Sequence, residues 1–219
     1  MKELKYTLIA DGSSDVVLLK IIKWLLDDLY PQLPCEGSFA DFRRIPDPPK
    51  GLSKKVKTAK LYFPYNILFV HRDAESTTNV KIMDQRRQEI REQLDEVDRG
   101  KTICVVPIKM METWLLINAD AIKKAAGNRN YRGDVNLPSV KNLERENQPK
   151  DILHLLLKNA SGLKNRGLKT FNVDQKVHLV ADYIEDFSPL RSLTAFQTFE
   201  EDLKEVMDNY FNAHRSSVI

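Results

Sequence analysis

The fold is decided by the stretch Asn66-Ile67-Leu68-Phe69-Val70-His71-Arg72-Asp73-Ala74-Glu75. An apolar, β-prone run ends here in charged residues, which is the pattern of a buried strand in a parallel sheet. Asp73 and Glu75 follow at its carboxyl end, where open α/β sheets bind their ligands. Two carboxylates this close repel each other unless they share a proton or a cation. Their hard oxygen atoms suit Mg²⁺ (or Mn²⁺), so Asp73 and Glu75 are predicted metal ligands.

The composition is that of a folded protein without a strong charge bias. The chain has 219 residues, a net charge of +3 and 42% hydrophobic residues, which is enough for one domain with a sizeable core. Charge alone therefore does not identify a nucleic-acid binder. No apolar run approaches the roughly 18 residues of a membrane span, so we expect no membrane partner. Cys35 and Cys104 lack metal-ligand spacing, and a reducing cytoplasm is the simplest location for them.

Strand and helix patterns alternate along the first half of the chain. Apolar, β-prone segments predict strands, at residues 6–10, 39–45, 67–70 and 102–108. Antiparallel pairing is one option for the second of these, and Pro107 indicates that pairing of the last strand stops there or that this strand lies at an edge. The order predicts an α/β fold with a mostly parallel sheet flanked by helices and a helical C-terminal extension. We divide it into residues 1–126 and an extension, 127–219, packed on the same core.

Apolar residues at helical spacing predict the helices. These lie at residues 15–29, 53–62, 77–98, 111–117, 118–126, 151–160, 173–187 and 198–211. Residues 11–15 form the turn before the first helix, with Gly12 free to take a positive φ and Asp15 favouring the first helical turn. Residues 127–149 and 161–169 are predicted loops.

Acidic residues follow three predicted strands, as Asp11, as Asp73 with Glu75, and as Glu112. In a parallel sheet those strand ends share one edge, so the carboxylates are expected to converge on a divalent cation. A carboxylate outside the metal shell can act as general base or orient water. Each has a simpler alternative. Asp11 and Glu75 then only stabilise a turn and a helix start, and Glu112 is solvated or pairs with Lys109.

Two basic segments, residues 43–60 and 158–169, are candidates for contact with nucleic-acid phosphates. The side chains predicted to bind nucleic acid are Arg43, Arg44, Lys54, Lys55, Lys57, Lys164 and Arg166. The alternative is that these charges form ordinary solvated faces.

Two further residues near the acids are singled out. His71 precedes Asp73 by two residues, and strand alternation puts both on one face. Lys109 is interpreted as an ordinary surface lysine, with pairing to a phosphate or carboxylate as the alternative.

Together these segments resemble the Toprim superfamily of metal-dependent nucleic-acid enzymes. More narrowly, the chain resembles a small bacterial family related to Toprim nucleases, some of whose members accompany ABC-type or OLD-type ATPases in anti-phage defence. The resemblance is carried by Leu8-Ile9-Ala10-Asp11-Gly12-Ser13-Ser14-Asp15, Leu68-Phe69-Val70-His71-Arg72-Asp73-Ala74-Glu75, Val106-Pro107-Ile108 with Met111-Glu112-Thr113-Trp114-Leu115-Leu116, and Phe187-Ser188-Pro189-Leu190-Arg191 with Ala195-Phe196-Gln197-Thr198-Phe199.

The resemblance implies a role for each acid. The Toprim pattern has a Glu after the first strand as general acid/base and an Asp-x-Asp that holds Mg²⁺. Asp11 stands here for that Glu, and Glu75 stands for the second Asp, which keeps the charges but moves the oxygen atoms by about a bond length. Asp11, Asp73 and Glu112 are therefore the implied catalytic residues, and Asp11, Asp73 and Glu75 the implied metal ligands.

Three functions follow as hypotheses. The first is a Mg²⁺-dependent Toprim-like nuclease for DNA or RNA, a candidate effector of anti-phage defence. The alternative is a non-catalytic interaction module partnered with an ATPase, since small displacements such as that at Asp11 can cost large factors in rate. The third is phosphotransfer with Asp73 as nucleophile and Lys109 nearby.

Overall fold

The structure is a computed structural model that describes residues 3–74 and 80–215. Its strands are Leu4–Ile9 (β1), Cys35–Phe39 (β2), Ile67–His71 (β3) and Thr102–Val105 (β4). They form one parallel sheet in the order β2-β1-β3-β4. The predicted α/β fold is therefore confirmed. As Pro107 indicated, β4 ends before this proline and lies at an edge of the sheet.

The helices in the described ranges surround this sheet. They are Leu18–Leu29 (α1), Leu52–Tyr62 (α2), Val80–Glu92 (α3), Glu96–Arg99 (α4), Ala119–Ala125 (α5), Pro149–Ser161 (α6), Arg166–Lys169 (α7), Val173–Tyr183 (α8) and Thr194–Arg215 (α9). Short 3₁₀ segments lie at Ser14–Val17, Phe42–Arg44, Met111–Leu115, Val140–Arg145 and Ser188–Ser192. None of the helices described is long and apolar enough to cross a membrane.

The second strand lies earlier in the chain than predicted, and it is parallel to β1 rather than antiparallel. The prediction of a strand at 39–45 is wrong beyond its first residue. Gly37 and Ser38 have low strand propensity, so the local sequence does not predict β2. Pairing with β1 overrides that propensity, and a hydrogen bond of 2.8 Å between the hydroxyls of Thr7 and Ser38 supports it.

The helix predicted over residues 77–98 is two helices, α3 and α4, in the described part of that range, which starts at Val80. The Asp95 carboxylate accepts a hydrogen bond of 2.8 Å from the backbone N–H of Asp98. This is a helix N-cap, so the chain stops one helix and starts another at this point. The sequence on both sides of this break has the charge pattern of a helix, so the break between α3 and α4 could not be predicted from it.

The C-terminal helices pack against the sheet. The ring of Phe199 on α9 lies 6.2 Å from that of Phe69 on β3, and Phe196 lies 5.4 Å from Trp114. One cluster of buried side chains includes residues from both sides of the predicted boundary at 126/127. The division into two parts itself stays a prediction. The α9 helix starts earlier than predicted, at Thr194, because the Glu144 carboxylate caps its first N–H groups.

Candidate functional site

The carboxyl ends of β1 and β3 lie side by side, because Ile9 pairs with Val70. The residues that follow line an open cleft of about 410 Å³, at the sheet edge where α/β proteins bind ligands. The described residues that line it are Asp11, Gly12, Ser14, Asp15, His71, Arg72, Asp73 and Arg86. Asp11 and Asp73, which are 62 positions apart in sequence, therefore face one space, as the sequence analysis expected.

An imidazole lies at the floor of this cleft. His71 is only 2% exposed, and its Nδ1 lies 2.9 Å from the carbonyl oxygen of Val105 on β4. Its Nε2 lies 3.3 Å from Asp73 Oδ1 and 3.9 Å from Asp15 Oδ2. Burial lowers the pKa of His71, but the hydrogen bond and charge of Asp73, the charge of Asp15 and the Val105 carbonyl raise it overall. The sequence had placed His71 and Asp73 on one face, and the distance agrees with that.

Asp73 is held through one oxygen of its carboxylate. Its Oδ1 accepts a hydrogen bond of 3.1 Å from the backbone N–H of Met111, in addition to facing His71. The side chain is 34% exposed, and Oδ2 accepts no hydrogen bond within residues 3–74 and 80–215. The two contacts of Oδ1 thus hold Asp73 in a fixed orientation.

Asp15 also lines the cleft, although it was not predicted as a site residue. Its carboxylate is nearly buried and accepts hydrogen bonds from the Gly12 N–H at 2.9 Å and the Ser14 hydroxyl at 3.3 Å. Gly12 does not adopt a positive φ, so the predicted reason for a glycine at this turn is wrong. A Cβ at Gly12 would lie 3.2 Å from Asp15 Oδ2, so glycine permits the close approach. The sequence signalled only a helix start, and the fold turns this carboxylate toward His71.

Asp11 is engaged by two cations. Its Oδ1 lies 3.0 Å from Lys55 Nζ on α2, and its Oδ2 lies 3.7 Å from Arg72 Nε. The carboxylate is nevertheless 66% exposed, so water screens these pairs and they add little stability. The cations are therefore available to a stronger anion that enters the cleft. Lys55 was predicted as a nucleic-acid contact, whereas Arg72 was not singled out.

Glu112 lies beside the cleft rather than in its lining. The 3₁₀ segment that contains it starts at Met111, whose N–H bonds Asp73, and this contact brings the segment to the site. Burial raises the pKa of Glu112, and the charges of Asp73 and Asp15 raise it further against the opposing effect of Lys150. Glu112 is thus next in sequence to the residue whose N–H binds Asp73.

The donor chemistry of the cleft suits a hard divalent cation, but the described side chains do not form a ready-made metal site. Across residues 3–74 and 80–215, no three His, Cys, Asp or Glu side chains are grouped to hold an ion. Asp11 is paired with Lys55 and Arg72, whereas Asp73 Oδ2 accepts no hydrogen bond from the described residues. Glu75, the remaining predicted ligand, lies outside the described residues. Metal binding by these acids stays a prediction.

The predicted nucleic-acid contacts divide into two groups. Lys55 binds Asp11, which lines the cleft, and Lys55 and Arg43 both line an adjoining one. The others are exposed charges for which no hydrogen bond or ion pair in the described chain leads to Asp11 or Asp73; they are Arg44, Lys54, Lys57, Lys164 and Arg166. Their contact with nucleic acid stays a prediction.

Lys109 is not the surface lysine that the sequence analysis favoured, because the residue is only 6% exposed. Its φ is +73°, in the left-handed region that non-glycine residues rarely adopt. This conformation costs roughly 1–2 kcal/mol and persists only where the surroundings enforce it. The turn that it makes after β4 leads to the Met111 N–H that binds Asp73. Backbone strain has no signature in sequence.

Comparison with known proteins adds no assignment. No protein-family model matches the chain, and neither does a curated protein or a solved structure. The resemblance to Toprim enzymes therefore stays a prediction.

Proposed function

We propose that the chain is a nuclease that hydrolyses phosphodiester bonds of DNA or RNA in this cleft, with Mg²⁺ or Mn²⁺ as its cofactor. The observation that carries the proposal is the meeting of Asp11, Asp15 and Asp73 with the cations Lys55 and Arg72 at the carboxyl edge of a parallel sheet. Cations attract a phosphate and carboxylates repel it, so substrate binding at this place calls for an additional positive charge.

The cations on Asp11 suggest how the substrate binds. A phosphodiester is an anion that competes with Asp11 for Lys55 and Arg72, whose pairs with Asp11 are exposed and weak. When the phosphate takes these cations, the Asp11 carboxylate is released. It then becomes available for the ion or for a proton, as the sequence analysis predicted.

Asp73 is the residue on which the proposed chemistry depends most. His71 and the Met111 N–H fix its Oδ1, so Oδ2 is presented without further loss of side-chain freedom. Glu75 is proposed as the second metal ligand and Glu112 as the further acid of the site. A bound divalent ion would offset phosphate charge and lower the pKa of a coordinated water.

The experiment is cleavage of supercoiled plasmid, single-stranded DNA and tRNA by the purified chain in Mg²⁺ or Mn²⁺. Asp73→Asn keeps the size of the side chain and should lower the cleavage rate at least about 100-fold, since the side chain loses its charge. Asp120→Asn, at an exposed carboxylate on α5, is the matched control and should cleave like the wild type. Equal rates for wild type and Asp73→Asn would reject the assignment.

We keep one alternative, a non-catalytic module that binds an ATPase partner. It is favoured by the engagement of both Asp11 oxygens with cations of the chain. It predicts that Mn²⁺ does not stabilise the protein. A rise in melting temperature with Mn²⁺ that is lost in Asp73→Asn would contradict it, because a ligand that binds only the folded state stabilises that state.

The two cysteines indicate the compartment in which the proposed nuclease would act. We propose the cytoplasm as the compartment, and the free thiols of Cys35 and Cys104 support this proposal. An effector of anti-phage defence, controlled by an ATPase, is the role that we propose to test there once cleavage is established.

A further inference from the structure

A second cleft of about 210 Å³ adjoins the acidic one on the β2 side of the sheet. The two clefts share Asp11 and Gly12, and Lys55 lines the second cleft while its Nζ bonds Asp11. Unlike the walls of the acidic cleft, the remaining walls of the second cleft are largely apolar. They include Phe39, Ala40, Phe42, Pro48 and Pro49. A ligand held by its phosphate at Lys55 can therefore extend into an apolar space.

One wall of the second cleft carries a fixed guanidinium plane. Arg43 binds the Asp41 carboxylate through two hydrogen bonds, from Nε at 2.8 Å and from Nη2 at 2.9 Å. The hydrogen bond from Arg43 lowers the pKa of Asp41 to about 2, so the partner stays ionised. A two-point bond of this kind sets the orientation of the guanidinium group, although Arg43 is 70% exposed. Guanidinium planes stack on aromatic rings.

The aromatic walls are held by the fold. Phe42 is nearly buried, and its ring lies 5.9 Å from that of Phe63 in an edge-to-face arrangement. Phe39 ends β2, where its backbone is paired with Leu8 of β1. A base that enters the cleft meets the Phe42 ring in a position that packing already fixes, so this side chain loses little entropy on binding.

We propose that this second cleft is a nucleobase subsite, and that it holds the base of a nucleotide whose phosphate lies at Lys55 and Arg72. This inference rests on the proposed function and deepens it, since it names the part of the substrate that the chain recognises beyond the phosphate. Bases stack on aromatic and guanidinium planes with little regard to sequence. The volume is below the roughly 300 Å³ at which small-molecule sites usually begin, so it suits one ring system.

The test compares two ligands that differ only in the base. Deoxyadenosine 5′-monophosphate and its abasic analogue 1,2-dideoxyribose 5-phosphate are titrated into the purified chain by calorimetry, without metal and again with Mg²⁺. The nucleotide should bind about tenfold more tightly or better, which is the size expected for one stacked base. Equal affinities of the two ligands, or no binding of the nucleotide at millimolar concentration, would overturn the inference.

Variants locate the difference. Arg43→Lys keeps the charge and removes the plane, and Phe39→Leu keeps the apolar volume and removes the ring. Each should reduce the preference for the nucleotide at least about threefold, since each removes part of the stacking surface. Arg132→Lys is the matched control, because Arg132 is an exposed arginine that lines neither cleft. A preference that is unchanged in both Arg43→Lys and Phe39→Leu would overturn the subsite.

The outcome is separable from that of the nuclease test. Cleavage without preference for the nucleotide would leave the proposed function in place and reject the base subsite. A preference that depends on Arg43 and Phe39, without any cleavage, would support the subsite and count against the nuclease.

Discussion

The Nε2 atom of His71 lies 3.3 Å from Oδ1 of Asp73, inside the protein at the carboxyl end of β3. The opposite ring nitrogen faces the carbonyl oxygen of Val105 on β4. A carbonyl oxygen only accepts hydrogen bonds, so Nδ1 carries a proton, and the carboxylate favours a second proton on Nε2. The pair thereby ties two neighbouring strands together and orients the carboxylate that the proposed function requires.

Stability should therefore depend on pH around neutrality. The pKa of folded His71 is raised above its ordinary value of about 6.5, since Asp73 and Asp15 outweigh burial. A group with a raised folded pKa stabilises the protein fully below its unfolded pKa and loses that contribution as the pH rises through the folded pKa. In EDTA-containing buffer, the free energy of unfolding should fall as the pH rises above about 6.5.

Urea unfolding at a series of pH values measures this contribution. His71→Gln should show a shallower fall with pH than the wild type, and Asp73→Asn should also reduce the slope because the raising charge is lost. Slopes that are identical in wild type and His71→Gln would contradict the protonated pair.

A second prediction concerns Gly37, which faces Tyr6 across β1 and β2. A Cβ at this position would overlap the buried Tyr6 ring. Gly37→Ala should therefore lower the free energy of unfolding by about 1–3 kcal/mol, the usual cost of overpacking. The cost should shrink in a Tyr6→Leu background, which makes the two changes non-additive. Glu36→Ala on the same strand is exposed and should stay within about 0.5 kcal/mol of the wild type.

A third prediction concerns Glu200 on α9, which links three segments through Arg191. Glu200 accepts hydrogen bonds of 2.8 Å from Arg191 and from Lys204, while Arg191 also binds Asp28 on α1 at 2.6 Å. Burial raises the pKa of Glu200, but these two cations lower it overall. A lowered folded pKa gives stability that is present above the unfolded pKa of about 4.3 and is lost as the pH falls through the folded pKa.

Replacement of this carboxylate should show the same dependence. Glu200→Gln should lower the free energy of unfolding at pH 7 by about 1–3 kcal/mol, allowing for the partial exposure of both cations. The difference between wild type and variant should shrink in unfolding measurements as the pH falls below about 4. A difference that is constant from neutral to acid pH would show that packing, not charge, stabilises this contact.

The sequence predicted the parts of the fold that depend on local pattern. The apolar run before His71 gave the central strand, and the spacing of Leu25 and Leu29 gave the end of α1. It failed where long-range contacts override local preference. Gly37 lies in a strand because β1 pairs with it, and α9 starts early because a distant carboxylate, Glu144, caps it.

The site divides in the same way. Asp11 and Asp73 were predictable, because parallel strands bring their carboxyl ends to one edge. Asp15 and Arg72 were not, since nothing in their neighbours fixes which way a side chain turns in the folded protein. The engagement of Asp11 with Lys55 spans 44 positions and likewise has no local signal.

The last prediction concerns the strained turn at Lys109, where φ is +73°. Glycine adopts this conformation without the steric cost of roughly 1–2 kcal/mol, although it loses about 0.5–1 kcal/mol of chain entropy relative to alanine. Lys109→Gly should therefore be more stable than Lys109→Ala by about 0.5–1 kcal/mol in urea unfolding, the net of these two effects. The order should reverse at Lys57, an exposed position within α2, where alanine is favoured by about 1 kcal/mol. If alanine were also the more stable residue at position 109, the turn that carries the Met111 N–H to Asp73 would not be strained, and its geometry would need another cause.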